Sequence, residues 1–433
     1  MEEATTGRLA WIRSIWHDPG IAQALRHASP VLAAEVEALE SANSPSSREV
    51  RRLGVSVARY LLRALHRPTP FGLFAGVTTA TFDAEPHSRW GQNHAVVARA
   101  GAEWVGRLIE QLERSGELLP LLSVVVNNTT FERDGSLVVP YQDDGPTGQR
   151  RAVEASVELS APVRFILRAA DAPIRIGELA EKLMAEFPAV APERVKRLLA
   201  GLVRRRVLIT NLHAPATETD ALGHLVTQLD AVRAEDIRLL APVVRELRAV
   251  HAGMEQCGTT EGRDAVATRM RDLVPGLRRH PLALDLCLDA TVVLPDLVAR
   301  EVERAATILT RLCARPYGTE PWNEYHQRFY ERFGVGTVAL DGRDEVVLTD
   351  ETVAALDRGP QEPRIPSHLE VSVRLHAASL AEVRRGRFTV ELTSVSRGSG
   401  VTVGRFLGVL PHAQRKRLHE ELADLPTADD GTV

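Results

Sequence analysis

The residues best suited to chemistry lie where an arginine-bearing helix runs into a proline-rich turn, in the stretch RPTPFGLFAGV at 67–77. Arg63 lies on the helix, Arg67 follows as the helix ends, and prolines flank Thr69 on both sides. Each proline pushes its preceding residue toward extended geometry, so Arg67 and Thr69 are held out of the helix. A guanidinium fixed beside a hydroxyl suits the binding of phosphate or carboxylate oxygens. The turn therefore favours an anion site over the other reading, a solvated basic helix face.

The elements around this turn follow from the hydrophobic pattern. Ser46 and Glu49 form a capping-box pattern at the start of the helix. Its apolar residues recur at steps of three and four: Val50, Leu53, Val57, Leu61 and Leu65. After the turn, Gly72 and Gly76 permit a close backbone approach or a positive φ. The sequence thus predicts a capped amphipathic helix, the rigid turn and then a strand.

Two further charged residues stand in apolar surroundings. Asp285 lies within LALDLCLD, which reads as a buried strand, and Arg405 lies within VGRFLGV. An aspartate in an apolar strand can serve function, but it can also simply bind backbone groups. Arg405 could equally be an ordinary surface arginine, and Asp289 is the more solvent-facing acid expected near Asp285. From the residues alone, these alternatives stay open.

Composition bounds the class of protein. The chain has 433 residues, 44% of them hydrophobic and 25% charged, which indicates a globular protein of two or three domains. No apolar stretch approaches a membrane span, and three scattered cysteines predict neither disulfides nor zinc, so a cytoplasmic location is expected. The histidines show no HExxH pattern, which argues against a metal site. With a net charge of −4, nucleic-acid contacts would need local basic patches.

The order of the elements predicts an α+β fold, with mixed sheets, long helices and an inserted winged-helix-like module. Residues 1–135 form the N-terminal part of the larger body. Residues 136–213 combine strands with short helices, APVRFILRAA, GELAEKLMAEF and PERVKRLLAGLVRRR, and form the winged-helix-like module. Residues 214–433 complete the body with long helices, the Asp285 strand and later strands.

Several segments, in order, resemble one family. YLLRALHRPTPFGLFAGV resembles the most recognisable motif of the lantibiotic dehydratases, in their N-terminal, tRNA-dependent glutamylation domain. ASPVLAAEVEAL, LALDLCLD, WNEYHQRFYERFG and SVSRGSGVTVGRFLGVLP resemble other segments of that domain. The resemblance runs from about residue 8 to residue 412 and so covers nearly the whole chain.

The resemblance implies a function. Members transfer glutamate from glutamyl-tRNA to Ser or Thr of a ribosomally made precursor peptide, in lanthipeptide or thiopeptide biosynthesis, and a separate domain then eliminates the ester. The motif residues of the glutamylation site fall on Arg63, Arg67, Thr69, Asp285 and Arg405. The resemblance implies aminoacyl-tRNA as cosubstrate and no other cofactor. Arginines could hold phosphates and a carboxylate, and an aspartate could act as base or orienter.

The winged-helix-like module supports two interpretations. Its helices and the run Arg204–Arg206 could bind DNA phosphates. In the family, the corresponding region resembles the element that recognises the leader of the precursor peptide by adding it as a strand to a sheet edge. The resemblance and the acidic chain favour leader binding, with RAVEASVEL at 151–159 as the candidate edge.

The chain departs from the family pattern in several places. Gly101 stands where members carry an acidic residue, and neither Arg8 nor Arg13 aligns clearly with an expected N-terminal arginine. A segment between GTVAL and DGRDEVVLTDE is shorter, and neither a second half nor an elimination domain follows GRFLGVLP. We therefore expect no elimination by this chain. Three readings stay open: a transferase, alone, as a homodimer or with a completing subunit; a non-catalytic leader-binding subunit; and, less favoured, a winged-helix nucleic-acid-binding protein.

Overall fold

The computed structural model describes residues 2–42, 45–143, 152–215, 217–277, 279–312, 320–333, 369–396, 400 and 402–423. It confirms the predicted α+β class, with long helices and several small mixed sheets. The chain divides into two compact units. The first contains Met1–Val105, Glu246–Leu309 and Pro366–Val433, and the second contains Gly106–Arg245 and Thr310–Ile365. Within the described residues, no helix has the length and apolarity that crossing a membrane requires.

The helices and strands are numbered in chain order. The helices are α1 Glu2–Trp16, α2 Pro19–Ala28, α3 Pro30–Ser41, α4 Ser47–His66, α5 Ala102–Leu112, α6 Ala161–Ala169, α7 Ile176–Glu186, α8 Pro192–Arg204, α9 Ala221–Ala231, α10 Ala241–Gly253, α11 Thr260–Leu273, α12 Asp296–Leu312, α13 Glu320–Phe333, α14 Leu380–Arg384 and α15 His412–Ala423. The strands are β1 Gly72–Val77, β2 Ala80–Phe82, β3 His87–Trp90, β4 Ala95–Ala100, β5 Ser123–Val126, β6 Phe131–Arg133, β7 Ser136–Asp143, β8 Ala152–Glu158, β9 Ile174–Arg175, β10 Leu208–Thr210, β11 Leu282–Cys287, β12 Ala290–Leu294, β13 Glu370–His376 and β14 Thr389–Ser396.

In the first unit, α1 to α4 share one apolar core. The α4 start is the predicted one, since the Ser46 hydroxyl accepts a hydrogen bond from the Glu49 backbone N–H at 3.2 Å. The first residues of the predicted stripe, Val50, Leu53 and Val57, are buried in this core. Leu65, the last residue of the stripe, lies on α4 but is 76% exposed. The last turn of α4 therefore lies outside the core, next to the turn at 67–77.

After this turn the chain enters a three-stranded sheet, in which β11 lies between β1 and β4. Strand β1 runs parallel to β11, with Gly72 opposite Asp285, and β4 runs antiparallel to β11, with Val97 opposite Asp285. The central position of β11 explains its apolar sequence, because both of its edges are paired and its faces are largely covered. Asp285 is therefore placed in the middle of a sheet.

The two glycines of the turn serve different purposes. Gly72 has φ +52°, a conformation that side chains rarely adopt. Gly76 lies so close to β11 that an ideal Cβ there would come within 2.5 Å of the Leu286 carbonyl oxygen. Both alternatives expected from the sequence thus occur, one at each glycine, and together they let β1 lie directly against β11.

The second unit contains two small sheets and the helices α6 to α8. Strands β6, β7 and β8 form an antiparallel meander, and β6 and β7 join through Asp134 and Gly135, which have φ of 49° and 74°. An Asp-Gly pair at the tip is typical of a β-hairpin. Strand β5 does not join these strands, because it pairs with β9 and β10. The assignment of 136–213 as a winged-helix-like module stays a prediction.

A buried polar network lies in the second unit. The Thr210 hydroxyl donates to Glu113 Oε1 at 2.7 Å, and His213 Nε2 lies 3.3 Å from the same oxygen. Arg206, in a left-handed backbone conformation with φ 57°, contacts His213 Nε2 at 2.7 Å and donates to Glu110 at 3.2 Å. The guanidinium of Arg206 is therefore bound within the protein, which counts against its proposed role as a phosphate contact for DNA.

A histidine pair packs beside Gly72 in the first unit. The rings of His27 and His280 lie 4.5 Å apart, and an ideal Cβ on Gly72 would meet His27 Cδ2 at 3.9 Å. Burial, with smaller contributions from His280 and Arg263, lowers the pKa of His27 to about 3. Burial and then Arg271 likewise lower the pKa of His280. Both rings are thus neutral in the folded protein near pH 7.

We predict that this pair makes the protein acid-sensitive. The unfolded chain takes up a proton at His27 below about pH 6.5, whereas the folded chain does so only near pH 3. The contribution of His27 to the free energy of unfolding is therefore complete above pH 6.5 and is lost as the pH falls. At pH 5 the loss from His27 alone is about 2 kcal/mol. Urea unfolding at pH 7 and pH 5 measures the loss, and His27→Gln should reduce it. An equal loss in the variant would contradict the assignment.

Candidate active site

The turn at 67–77 ends α4 in the way its prolines require. The Arg67 backbone N–H donates to the Arg63 carbonyl oxygen at 2.9 Å, and Arg67 itself is extended, with φ −119° and ψ 111°. The side chains of Arg67 and Thr69 are exposed. The Phe71 N–H then donates to the Ala75 carbonyl oxygen at 3.0 Å and closes a tight loop. The predicted cation and hydroxyl thus stand at the surface of a fixed turn.

Arg63 rests on a group of aromatic rings. Its guanidinium carbon lies 4.1 Å from the centroid of the Phe71 ring. Phe71 stacks with Phe74 at 6.0 Å and with Tyr60 at 6.3 Å. Such a cation–π contact orients the guanidinium without using its hydrogen-bond donors. Among the described residues, Nε of Arg63 is buried and has no hydrogen-bond partner.

Asp285 is a buried carboxylate that faces two arginines. It is 5% exposed. Arg99 Nη2, on β4, donates to Asp285 Oδ2, and Arg405 Nη2 lies 3.9 Å from Oδ1. The Arg405 guanidinium also lies over the ring of Phe406, 4.9 Å from its centroid. A buried charge persists only when it is paired, and this one is paired on both oxygens.

The Phe406 side chain brings Arg405 to the sheet. Residues Gly404–Phe406 form a short 3-10 helix, and Phe406 packs with Cys287 and Val97. Cys287 lies two residues beyond Asp285, and side chains two apart on a strand share a face. Arg405 therefore lies above the same face of the sheet as Asp285, although the two residues are far apart in the sequence.

The residues predicted from the sequence thus form two neighbouring groups within the first unit. Asp285 and Arg405 are brought together in one group. Arg63 packs on the ring of Phe71 in the other group. Phe71 precedes Gly72, and Gly72 pairs with Asp285 across the β1–β11 ladder. Within the described ranges, no ion pair joins Asp285 to Arg63 or Arg67. The surfaces of these groups are cationic apart from the buried aspartate, and this suits a ligand that carries phosphate or carboxylate groups.

Sequence reasoning missed Arg99. A signal was present, because an arginine within the apolar run HAVVARA needs a polar partner if its strand is buried. The side chain of Asp285 is 6% exposed and that of Asp289 is 22% exposed, so Asp289 is the more solvent-facing acid, as expected. It accepts from Arg89 at 2.9 Å and from the Asn93 N–H at 3.2 Å, and the first of these bonds lowers its pKa most.

Gly101, where the family resemblance leads us to expect an acidic residue, is tightly packed. It immediately precedes α5, its N–H donates to the Pro281 carbonyl oxygen at 2.7 Å, and an ideal Cβ there would lie 2.7 Å from that oxygen. A side chain at this position would force the backbone apart. Glu103, two positions further on, lies in the first turn of α5. The shortened segment between GTVAL and DGRDEVVLTDE lies outside the described residues.

The chain belongs to the family described as "Lantibiotic dehydratase, N terminus", whose sequence profile matches residues 17–339 and 335–433. This confirms the family resemblance. Subtilin biosynthesis protein SpaB of Bacillus subtilis is 23% identical over 301 residues, which are 68% of this chain and 28% of that protein. Epidermin biosynthesis protein EpiB of Staphylococcus epidermidis is 20% identical over 291 residues, 66% of this chain and 29% of that protein.

A solved structure gives a similar result. The crystal structure of the tRNA-dependent lantibiotic dehydratase MibB from Microbispora sp. 107891 is 28% identical and superposes with a TM-score of 0.72, covering 96% of this chain and 46% of that one. The chain therefore spans less than half the length of each of these relatives.

We predict that Gly101 cannot be replaced without loss of stability. Gly101→Ala should lower the free energy of unfolding by about 1–3 kcal/mol, because the new methyl group overlaps the Pro281 carbonyl. Gly106→Ala, within α5 and with nothing within 4 Å of the added atom, is the control and should stabilise by up to about 1 kcal/mol. Denaturant unfolding measures both. Equal effects of the two substitutions would mean that Gly101 is not a packing constraint.

Proposed function

We propose that this chain carries the site of a tRNA-dependent aminoacyl transferase of lantibiotic-type peptide biosynthesis, which transfers glutamate from glutamyl-tRNA to Ser or Thr of a precursor peptide. The observation that carries the proposal is the pairing of buried Asp285 with Arg99 and Arg405, next to the Arg63 and Arg67 turn. Family membership supports it, as does the description of MibB as a tRNA-dependent lantibiotic dehydratase. Use of tRNA would place the reaction in the cytoplasm.

The proposed chemistry is an ester transfer. The Ser or Thr hydroxyl oxygen attacks the carbonyl carbon of the glutamyl ester, the bond from this carbon to the ribose oxygen breaks, and the hydroxyl proton passes to the ribose oxygen. Negative charge develops on the carbonyl oxygen, and fixed cations stabilise it. Arg63 and Arg405 are the cations held by aromatic rings, whereas exposed Arg67 and Thr69 suit the phosphates or carboxylate of the substrate. No other cofactor is needed.

The transfer itself is the first test. The purified protein is mixed with a precursor peptide encoded beside it and with radiolabelled glutamyl-tRNA. We expect label on the peptide from the wild-type chain and a loss of at least about 100-fold in rate for Arg67→Ala, since a fixed charge contact is removed. Arg51→Ala, an exposed arginine earlier on α4, is the matched control and should leave the rate unchanged.

The outcomes separate the readings of this chain. Labelled peptide means that the chain is a transferase by itself. Absence of label together with peptide binding that Arg67→Ala does not weaken would favour the leader-binding subunit, a reading that Gly101 supports.

We further propose that the leader of the precursor peptide adds as a strand to β8. Within the described residues β8 pairs only with β7, so its other edge is open. The Leu159 N–H donates to the Gly135 carbonyl oxygen, opposite it across the hairpin. Because the bonds of an antiparallel pair alternate, the N–H of Ser156 points away from β7. This donor is therefore in position to bind an added strand.

One substitution removes that donor alone. We expect Ser156→Pro to weaken leader binding by about tenfold or more, because proline lacks the N–H but is tolerated on an edge strand. Ser156→Ala keeps the N–H and should bind as the wild type does. Fluorescence anisotropy with a labelled leader peptide measures both, and thermal unfolding checks that the variants are folded. Equal binding by Ser156→Pro would place the leader elsewhere.

A further inference from the structure

The arginine that binds Asp285 most directly is not among the family motif residues named above. Arg99 Nη2 donates to Asp285 Oδ2, whereas the contact of Arg405 with Oδ1 spans 3.9 Å. The side chain of Arg99 is 33% exposed and that of Arg405 is 65% exposed. Arg99 is thus the inner partner of the carboxylate and Arg405 the outer one.

The sheet holds Arg99 in this place. Arg99 lies opposite Ala283, which is two residues before Asp285 on β11. Diagonal neighbours of this kind share one face of an antiparallel pair and lie within reach of a long side chain. Arg99 and Asp285 therefore stand on adjoining, mutually paired strands, whose spacing is set by the ladder. Arg405 instead comes from the short helix Gly404–Phe406, packed on the sheet through Phe406.

We infer that Arg99 is a positioning residue for the transfer reaction: it holds the Asp285 carboxylate in the one orientation that presents Oδ1 to Arg405. Because both oxygens face guanidinium groups, Asp285 acts as an orienter of Arg405 and not as the base that takes the hydroxyl proton. This inference rests on the proposed function and deepens it, because it assigns the transfer site a further residue and decides the role of its aspartate.

A purely structural role explains the pair less well. A buried ion pair adds little net stability, since the loss of hydration offsets the attraction. Among the described residues, Nε of Arg99 is buried without a hydrogen-bond partner. The ion pair therefore leaves one donor of Arg99 unsatisfied. The chain also offers a comparison, because Arg89 binds Asp289 at 2.9 Å, and Asp289 also accepts a hydrogen bond from the Asn93 N–H.

The test measures glutamyl transfer and unfolding for Arg99→Gln, Arg99→Lys and Asp285→Asn, for the double variant Arg99→Gln/Asp285→Asn, and for Arg89→Gln as the matched control. We expect Arg99→Gln to lower kcat by about 100-fold with little change in KM for glutamyl-tRNA, since a misplaced group affects the reaction more than binding. The double variant should be no slower than the slower single variant. Arg99→Lys should recover part of kcat, and Arg89→Gln should keep the wild-type value. The combined effect of Arg99→Gln and Asp285→Asn on the unfolding equilibrium constant should differ about tenfold from the product of their separate effects.

Each outcome has a definite meaning. Wild-type kcat in Arg99→Gln, multiplicative losses in the double variant, or no coupling in unfolding would overturn the positioning role. A loss of kcat only in proportion to the unfolded fraction would overturn it as well and leave a structural pair. If Arg99→Gln does not fold, Arg99→Lys decides between the same outcomes. Coupling in unfolding without any transfer by the wild-type chain would instead refute the proposed function, and with it any role of Arg99 in transfer.

Discussion

The buried carboxylate of Asp285 is the constraint on which the rest of the site depends. A charge in the middle of a sheet is tolerated only if cations stand close to it, and leaving it unpaired would cost about 3–5 kcal/mol. Arg99 supplies one cation from the next strand, and Arg405 supplies the other from a short helix packed on the same face. The need to pair one aspartate thus fixes the place of two arginines. The sheet's own strand pairing also places Gly72, and with it the turn after α4, beside this aspartate.

The turn after α4 holds two arginines in place without an acidic partner that would neutralise them. An arginine whose donors are all bound to carboxylates would be a poor ligand for another anion. Arg63 is oriented by the face of Phe71, and Arg67 by the proline that follows it, so neither needs an acidic partner for its direction. The site therefore combines arginines of two kinds: those that a carboxylate orients and those that rings or backbone geometry orient.

In the second unit, buried polar side chains also bind one another. Glu113, Thr210, His213 and Arg206 bind one another around β10 and α5, and Arg206 is consequently not available to a nucleic acid. Within the described residues of this unit, one edge of β8 is unpaired, and its main-chain donors can recognise a peptide with little dependence on its side chains. That property fits a leader peptide better than a DNA groove, where side-chain contacts to base edges carry the specificity.

The amino-acid sequence by itself determined the local elements. The cap and apolar period of α4, the extended Arg67 before proline and the Asp-Gly hairpin were all predictable, because each depends on residues a few positions apart. The family, and the choice of Arg63, Arg67, Thr69, Asp285 and Arg405 as candidates, also came from motifs in the sequence. The sequence did not predict the exposure of Leu65, the pairing of β5 or the role of Arg99. Only the tertiary structure decided these, because they depend on contacts between distant segments: Arg99 and Asp285 are 186 residues apart, and strand pairing alone brings them together.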